Sequence, residues 1–492
     1  MADLTCEVLV VGAGPTELML ANWLVKLGID VVVADGKDGP TRESRALGLQ
    51  ARSLEIYDQL GIGDLVLSEA HRADAVAPGF LDRTFGRVPL GPLGKGLTPY
   101  PYLEILEQSR NEEILYENLQ KLGGEVRWQA AVTGVTRTEY GVEAAVGGDT
   151  VRARFCVGCD GASSTVRKTR GIDFAGITNP NRFYVLDAAA ADGLVENAIN
   201  VRPGTDDFLV AFPMKGDGNW RFIGLVRDED GDGELTEKDV LPRIHRFGIN
   251  YRQARWFATY KVHHRIAAAF RDGPFFLAGD AAHVHSPIGG QGMNTGLQDA
   301  HNLAFKLADV LHQGSRKDDW LDRYEAERRP VAEHLVATTD RLFGRITSRT
   351  RTARMLRRVV FPLFAPVVIR VLPRSACGSR LFQYVSQIRI RYPMAPGAEP
   401  AAGGRRDPVV GRRLPWTGDN FAVLRALRWQ IHAYGGVTAA EVPDVGVVVH
   451  IFPAAPRTLL RPGRLYLVRP DGFVAAESAP EDARRAFPPL MA

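Results

Sequence analysis

Three glycine-rich turns, far apart along the chain, constrain its fold more than any other feature. Near the start, Gly12-Ala13-Gly14-Pro15-Thr16 follows a mostly apolar run at residues 7–11. In the middle, Cys159-Asp160-Gly161-Ala162-Ser163-Ser164 closes a strand-like run at 151–157. Further on, Gly279-Asp280-Ala281-Ala282-His283 follows a short apolar run and leads into Pro287-Ile288-Gly289-Gly290-Gln291-Gly292-Met293-Asn294. After the first turn, Leu18, Leu20, Ala21, Leu24 and Val25 recur at helical spacing, and a β-branched run at 31–33 ends at Asp35. The pattern is a strand–turn–helix–strand unit. Gly12 permits the tight turn. Gly14, followed by Pro15, lets the backbone approach a pyrophosphate whose charge then sits on the helix N-terminus. Asp35 lies 23 residues past Gly12, the place of an acid that hydrogen-bonds a ribose.

One position departs from the dinucleotide pattern. Its third glycine falls at residue 17, which here is Glu17. A carboxylate there crowds helix against strand, at about 1–3 kcal/mol, and puts negative charge near a diphosphate. The plainer expectation is a slightly shifted helix with Glu17 turned to solvent. The sharper one is weakened cofactor binding.

At 492 residues the chain calls for two or three domains. Its 45% hydrophobic and 24% charged residues are ordinary for a soluble globular protein, and a net charge of +4 gives no footprint for nucleic acid. Four cysteines, Cys6, Cys156, Cys159 and Cys377, are too few for a disulfide framework and suggest a reducing compartment. Cys156 and Cys159 have redox-pair spacing but end a strand, where i and i+3 face opposite sides. The first apolar run is the glycine-turn strand, with no basic residues before it, so no signal peptide is expected. No run reaches the length of a transmembrane helix, and a cytoplasmic protein without stable membrane insertion is expected.

The first unit reads to about residue 72. Residues 73–100, rich in Pro and Gly, carry short strand-like pieces, and a long helix is predicted over 102–122. Alternating runs at 126–135, 142–146 and 151–157 predict a small antiparallel piece returning to the main sheet. Alternation at 208–212 and 220–226 predicts a second, mostly antiparallel sheet within 181–264. Residues 228–239 have calcium-loop spacing at Asp228, Asp230, Asp232 and Gly233, but position twelve is Asp239, not a bidentate Glu, so a solvated turn is the better reading. Helices are predicted from about 292 to 311 and 320 to 343. Residues 341–380 combine arginines with an apolar, Pro-broken stretch at 359–372; this reads as a helix pair packed on the core, with a membrane surface as the alternative. Residues 396–410 read as a linker, 445–452 and 465–468 as strands, and Pro470-Asp471-Gly472 as a hairpin turn.

The full set of motifs resembles the single-component FAD-dependent aromatic hydroxylases: para-hydroxybenzoate hydroxylase, the phenol hydroxylases and especially the hydroxylases of aromatic polyketide biosynthesis. The resemblance spans about residues 5–180 and 260–345, with a weaker match in the tail. It implies an α/β fold: a Rossmann-like FAD-binding domain from 1–72, 101–180 and 265–345, interleaved with a mostly antiparallel substrate-binding sheet domain from 73–100 and 181–264. Connecting helices would fill 346–395, and a thioredoxin-like C-terminal domain 396–492. By the same resemblance, Gly12, Gly14, Pro15 and Asp35 hold the adenosine diphosphate, and Arg45 contacts the diphosphate. Gln108 lies near the ribityl chain. Asp160 and Gly161 serve FAD and the pyridine nucleotide, with Arg167 within that motif, and Asp280 binds the ribityl/diphosphate region. Pro287 lines the active site beside the ring, and Gly289, Gly290, Gly292, Met293 and Asn294 face its pyrimidine edge, where a helix N-terminus suits the charge of reduced flavin. Phe212, Met214, Phe222 and Pro287 are candidate walls of an apolar substrate pocket.

The implied activity is an NAD(P)H-dependent FAD monooxygenase that uses molecular oxygen and a flavin hydroperoxide to hydroxylate a small phenolic or polyketide-like aromatic substrate. Alternatives are a Baeyer–Villiger or antibiotic-inactivating monooxygenase and, from another class, a structural FAD-binding subunit. The Trp-x-Trp signature of flavin halogenases is absent; Trp220 stands alone. His283 and His285 lack the further ligands of a zinc site, so no metal is expected. Lys37, Arg42 and Lys168 are possible partners for a 2′-phosphate. No residue stands out in the sequence as the base for a phenol, and the oligomeric state is not legible.

Overall fold

The structure is a computed structural model describing residues 3–41, 46–205, 207–226, 235–285, 290–313, 318–347, 350–394, 409–455 and 458–487. Its first sheet is built on four parallel strands lying in the order Val31–Ala34, Asp3–Val11, Asp149–Gly158 and Phe275–Leu277. These strands read as continuous apolar runs because helices cover the sheet. The Pro15–Lys26 helix packs against the Gly292–Gln313 and Gln108–Lys121 helices. The antiparallel strands Val132–Thr138 and Gly141–Val146 extend the sheet from the first half of Asp149–Gly158, as the alternation predicts. Residues 126 and 127 do not join them: Val126–Arg127 pairs in parallel with Val31–Ala34 at the opposite edge.

The helix expected over 102–122 starts later. Leu103–Ile105 is a strand between Gly48–Leu49 and His71–Ala73, and the helix runs over Gln108–Lys121. All three side chains of Leu103–Ile105 are buried, a pattern periodicity alone does not separate from a buried helical turn.

The second sheet contains the long strands Phe174–Ala189 and Gln253–Ala267, then Trp220–Val226, Phe208–Pro213, Ala198–Pro203 and Ala75–Phe80. The Glu237–Arg246 helix covers one face, where Phe222, Val240, Ile244 and Phe247 form a core. Asp239 is part of that helix's capping box: its carboxylate accepts from the Thr236 N–H at 2.7 Å. The rest of the acidic stretch, 227–234, lies outside the described residues, as does most of the expected linker.

In the tail, strands order as Val448–Phe452, Gln430–Tyr434, Arg464–Val468 and Val474–Ser478; the first pair is parallel, the others antiparallel. The turn between the last two closes through Gly472, at φ +78°. The arginine-rich segment is helical at Arg351–Met355, Phe361–Val371 and Ala376–Val385. It is only half packed: Ala365 and Ile369 face the body, whereas Leu363, Phe364, Val367 and Val371 are exposed, which corrects the expectation of a helix pair packed on the core.

Candidate active site

The three glycine turns and Asp35 all leave the C-terminal ends of neighbouring parallel strands, the edge at which open α/β sheets bind ligands. Hydrogen bonds tie the turns to one another. The Cys159 N–H donates to the Val11 carbonyl at 3.1 Å, and the Ala278 N–H to the Gly158 carbonyl at 3.1 Å. The Arg167 guanidinium donates to the Ala281 and Ala162 carbonyls at 2.8 and 2.7 Å, clamping the second motif onto the third, and stacks 3.9 Å from the Phe174 ring.

At the first turn, Gly12 has φ +104° and Gly14 precedes Pro15 at the helix start. The Ala13 N–H donates to Asp35 Oδ2 at 2.6 Å, holding the acid under the turn. Glu17 does not reach solvent: it is only 6% exposed. Its carboxylate folds back over the turn, where a Cβ built on Gly12 would meet Oε1 at 2.5 Å and one on Gly14 would meet Oε2 at 3.1 Å. Glu17's own N–H donates to it. The expectation of a solvent-facing Glu17 is therefore corrected; its carboxylate takes up one of the free N–H donors at the helix N-terminus. Burial pushes the Glu17 carboxyl well above the usual range, Lys37 opposes that shift, and Glu112 and Asp35 reinforce it.

Beside this turn, Lys37 Nζ lies 3.8 Å from both Asp35 and Glu112. Gln108 begins its helix, accepts from the Ala46 N–H at 3.3 Å and donates to Glu112 at 2.9 Å, and Glu112 also accepts from the Thr41 N–H at 2.9 Å. Arg42 and Arg45 lie outside the described residues. Asp160 caps the Thr165–Thr169 helix through Oδ2, at 2.6 Å from the Thr165 N–H, while its buried Oδ1 has no protein partner. Asp280 is exposed in the Gly279–Ala281 turn, and Lys168 is exposed on the neighbouring helix.

Beneath the third turn, His283 Nε2 lies 2.7 Å from Asp299, which also accepts from Arg328 Nε at 2.6 Å and from the Gly279 N–H at 3.1 Å. His283 is thus a hydrogen-bonding histidine, and no metal-holding group of His, Cys, Asp or Glu exists among the described residues. Pro287 and Gly289 lie outside the described residues. Gly290 has φ +61°, and Gly292 opens the 22-residue helix. Asn294 spends its side chain on protein: it accepts from the Gln50 N–H at 2.8 Å and Ser53 Oγ at 2.7 Å, and donates to the Gly48 and Gly290 carbonyls at 2.7 and 2.8 Å. It ties Gly290 to the Gly48 strand and the head of the following helix. Met293 Sδ lies 3.7 Å from Asn111 Nδ2. The Cys156 and Cys159 thiols are buried and pushed up by that burial, which removes the thiolate a redox pair needs.

A cavity of about 380 Å³ opens between the second sheet and the head of the Gln108–Lys121 helix. Met214 and Trp256 line it together with Glu107, Asp187, Lys215 and Arg221. Phe212, Arg221, Asp187 and Trp256 are cross-strand partners in one row. Phe212 shares that face but packs on Leu47, Ala73, Leu103 and Ile105 beside the cavity. Phe222 follows Arg221 in the strand and therefore points the other way, into the helix-covered core. Phe222 is corrected from pocket wall to core residue.

The lining of this cavity mixes charged and apolar side chains. Arg221 makes a bidentate pair with Asp187, both contacts 2.6 Å, with its guanidinium 5.3 Å from the Trp256 ring. Glu107, half buried, has its carboxyl pushed up by burial against the pull of Arg221. Sequence reasoning missed Glu107, Asp187, Arg221 and Trp256. The adjacency of Glu107 to Gln108 and the alternation around Phe222 were the available signals.

The comparisons with known proteins agree with this geometry. A family model described as an FAD binding domain matches residues 5–339. The 6-methylpretetramide 4-monooxygenase of Streptomyces rimosus is 32% identical, covering 96% of this chain and 90% of that protein. A flavin-dependent monooxygenase of Mycobacteroides abscessus is 36% identical over 95% and 96% of the two chains. The solved structure of an anhydrotetracycline hydroxylase from Streptomyces rimosus superposes with a TM-score of 0.75 at 30% identity, covering 99% of this chain and all of that one. The chain belongs to the FAD-binding-domain family of flavin-dependent monooxygenases.

Proposed function

We propose that this monooxygenase hydroxylates a polycyclic, polyketide-like aromatic substrate bearing several hydroxyl or carbonyl oxygens, with NAD(P)H as reductant. The observation that carries this reading is the charged lining of the cavity at the head of the Gln108–Lys121 helix. An unsubstituted ring would desolvate the Glu107 carboxyl and the Arg221–Asp187 pair without adding a polar partner, which is costly. An oxygen-rich ring can meet Glu107, Arg221 and Lys215 while its faces lie against Met214 and Trp256. The compounds for which two of the relatives are named, anhydrotetracycline and 6-methylpretetramide, belong to this chemical class.

The residues present fit FAD. Gly12 and Gly14 turn the backbone into a helix start where a diphosphate would meet the Glu17 carboxyl, Asp35 stands at the ribose end, the unpartnered Asp160 Oδ1 awaits a donor, and Gly290 to Gly292 offer N–H groups at a helix start. Arg45, Gln108, Asp280 and Asn294 complete the assignment, the last as a positioning residue. When bound, FAD supplies the redox and oxygen-transfer chemistry. The chain's own part is to hold the substrate ring, exclude water and manage the substrate's proton. Glu107 is the carboxyl placed to take that proton. The phenolic O–H breaks, the proton passes to a Glu107 oxygen, and the electron pair stays on the ring oxygen, activating it. Pro287 keeps the ring-side role that the family resemblance implies. The 2-1-3-4 order of the tail's strands, one parallel pair followed by an antiparallel hairpin, supports reading it as a thioredoxin-like domain, without paired cysteines beyond Cys377.

The test is a screen of phenols, anthraquinones and tetracyclic ketophenols for acceleration of NADPH oxidation, with mass spectrometry of the products. The reading expects acceleration by hydroxylated polycycles and a product heavier by one oxygen on the ring. Acceleration by non-aromatic ketones, with an ester or lactone product, would replace it with Baeyer–Villiger chemistry.

A further inference from the structure

The apolar helix that the fold leaves uncovered has a chemistry of its own. Residues 341–398 contain twelve arginines and no aspartate, glutamate or lysine. Within them the Phe361–Val371 helix turns Ala365 and Ile369 inward, and Phe361 meets the Phe85 ring edge-on at 5.8 Å. The opposite face carries Leu356, Val359, Leu363, Phe364, Val367 and Val371, all at least 55% exposed. They recur at helical spacing through the preceding turn, so they form one contiguous surface. Apolar patches of that kind on a folded protein mark an interaction site. Arg351, Arg358, Arg370 and Arg374, also exposed, frame it.

We propose that this face docks on an anionic lipid surface, lying in the interface plane. An amphipathic helix with large apolar side chains outward and arginines at its margins binds in this way, its apolar face entering the headgroup–acyl boundary. Spanning is disfavoured: among the described residues no single helix is long and apolar enough to cross, and the pair that passes on length and composition bends by 83° between Leu356–Arg374 and Ala376–Val385. A second copy of the chain is disfavoured by charge. A two-fold contact sets the same patch against itself, bringing arginine against arginine with no carboxylate in the segment to neutralise them. An anionic bilayer supplies both the apolar layer and the negative charge. The docking holds whatever the enzyme's substrate.

The experiment is flotation of the full-length, FAD-loaded protein with vesicles of phosphatidylcholine and phosphatidylglycerol in equal parts, and with phosphatidylcholine alone. Co-flotation with the anionic vesicles, falling with added salt, is expected, with little on the neutral ones. Arg358→Gln and Arg370→Gln should each weaken partitioning by about fivefold. Leu363→Ser with Val367→Ser should abolish it while circular dichroism and flavin content stay unchanged. Failure to float with anionic vesicles overturns the proposal. So does a dimer, seen by light scattering, that the paired serine substitutions dissolve, because it assigns the face to a second copy. The arginine variants alter only exposed side chains, so they decide the matter even where the serine pair disturbs folding.

Discussion

Glu17 sets an anion against the two glycines that would receive a diphosphate. Its carboxyl is held above the usual range by burial, with Asp35 and Glu112 adding to that and Lys37 opposing it. A bound diphosphate adds further negative charge and favours the neutral carboxyl, so FAD binding takes up a proton. The sign follows: FAD affinity falls as pH rises through the Glu17 titration. Glu17→Gln should tighten FAD by about tenfold at alkaline pH and flatten the pH dependence, measured by quenching of flavin fluorescence. An unchanged slope would mean that Glu17 swings clear of the diphosphate. At Glu107 the readout is kinetic. Glu107→Gln should remove the acidic limb of the kcat/KM profile for phenolic substrates and cost about 10²-fold or more in kcat, with FAD content unaltered. The motif glycines and Asp35 were legible because dinucleotide binding needs a short turn and an acid at a set distance. Glu107 was not: a lone carboxylate before a helix looks like a cap until the second sheet is folded over it. Phe222 was misplaced because an aromatic in an alternating strand gives no sign of which face meets a ligand.

The helices and strands around the cleft are joined by a buried ionic cluster. Glu327 accepts from Arg469 at 2.6 and 3.0 Å and from Lys306 at 2.8 Å, and Arg469 also pairs with Asp471. Through these contacts the hairpin turn of the tail grips the Asp318–Thr347 and Gly292–Gln313 helices, the second of which begins at the third glycine turn. Arg469 and Lys306 hold the Glu327 carboxyl far below its usual range against the opposing effect of burial. A depressed carboxyl contributes stability that is present above about pH 4.5 and lost as pH falls toward the folded value. Glu327→Ala should cost about 3–5 kcal/mol, since it leaves buried cations unpaired. Glu327→Gln should also flatten the melting-temperature profile below about pH 5. A destabilisation below about 1 kcal/mol would show that solvent screens the cluster. Helix extents were legible from periodicity, and the late start of the Gln108–Lys121 helix was not, because a fully buried three-residue strand has no period to read.

At the scale of the molecule, sequence patterns set the order of modules, and packing decided their joints. Four parallel strands bring distant turns to one edge, and the second sheet forms a charged cavity with Glu107, the residue before the Gln108–Lys121 helix. The tail is bonded to the Ala51–Leu60 helix: Arg52 donates to the Asp471 carbonyl at 2.8 Å, and Arg413 pairs with Glu55 at 2.9 Å. None of these long-range ion pairs has a local signature, so a tail that reads as an independent module is in fact bonded to the first domain through buried charges. Ending the chain at residue 408 should therefore take Arg413 from Glu55 and Arg469 from Glu327 and lower FAD retention together with solubility. A truncated protein that keeps its flavin and its melting temperature would show the tail to be dispensable. The account as a whole rests on the convergence of the three turns on one FAD. Its most direct measurement is flavin stoichiometry from the flavin absorbance of the dialysed protein, for wild type and for Asp160→Ala and Asp280→Ala. One FAD per chain in the wild type, with each substitution weakening retention by about tenfold or more, is the predicted result. A colourless wild-type protein, or a yellow one whose affinity ignores both aspartates, would contradict it.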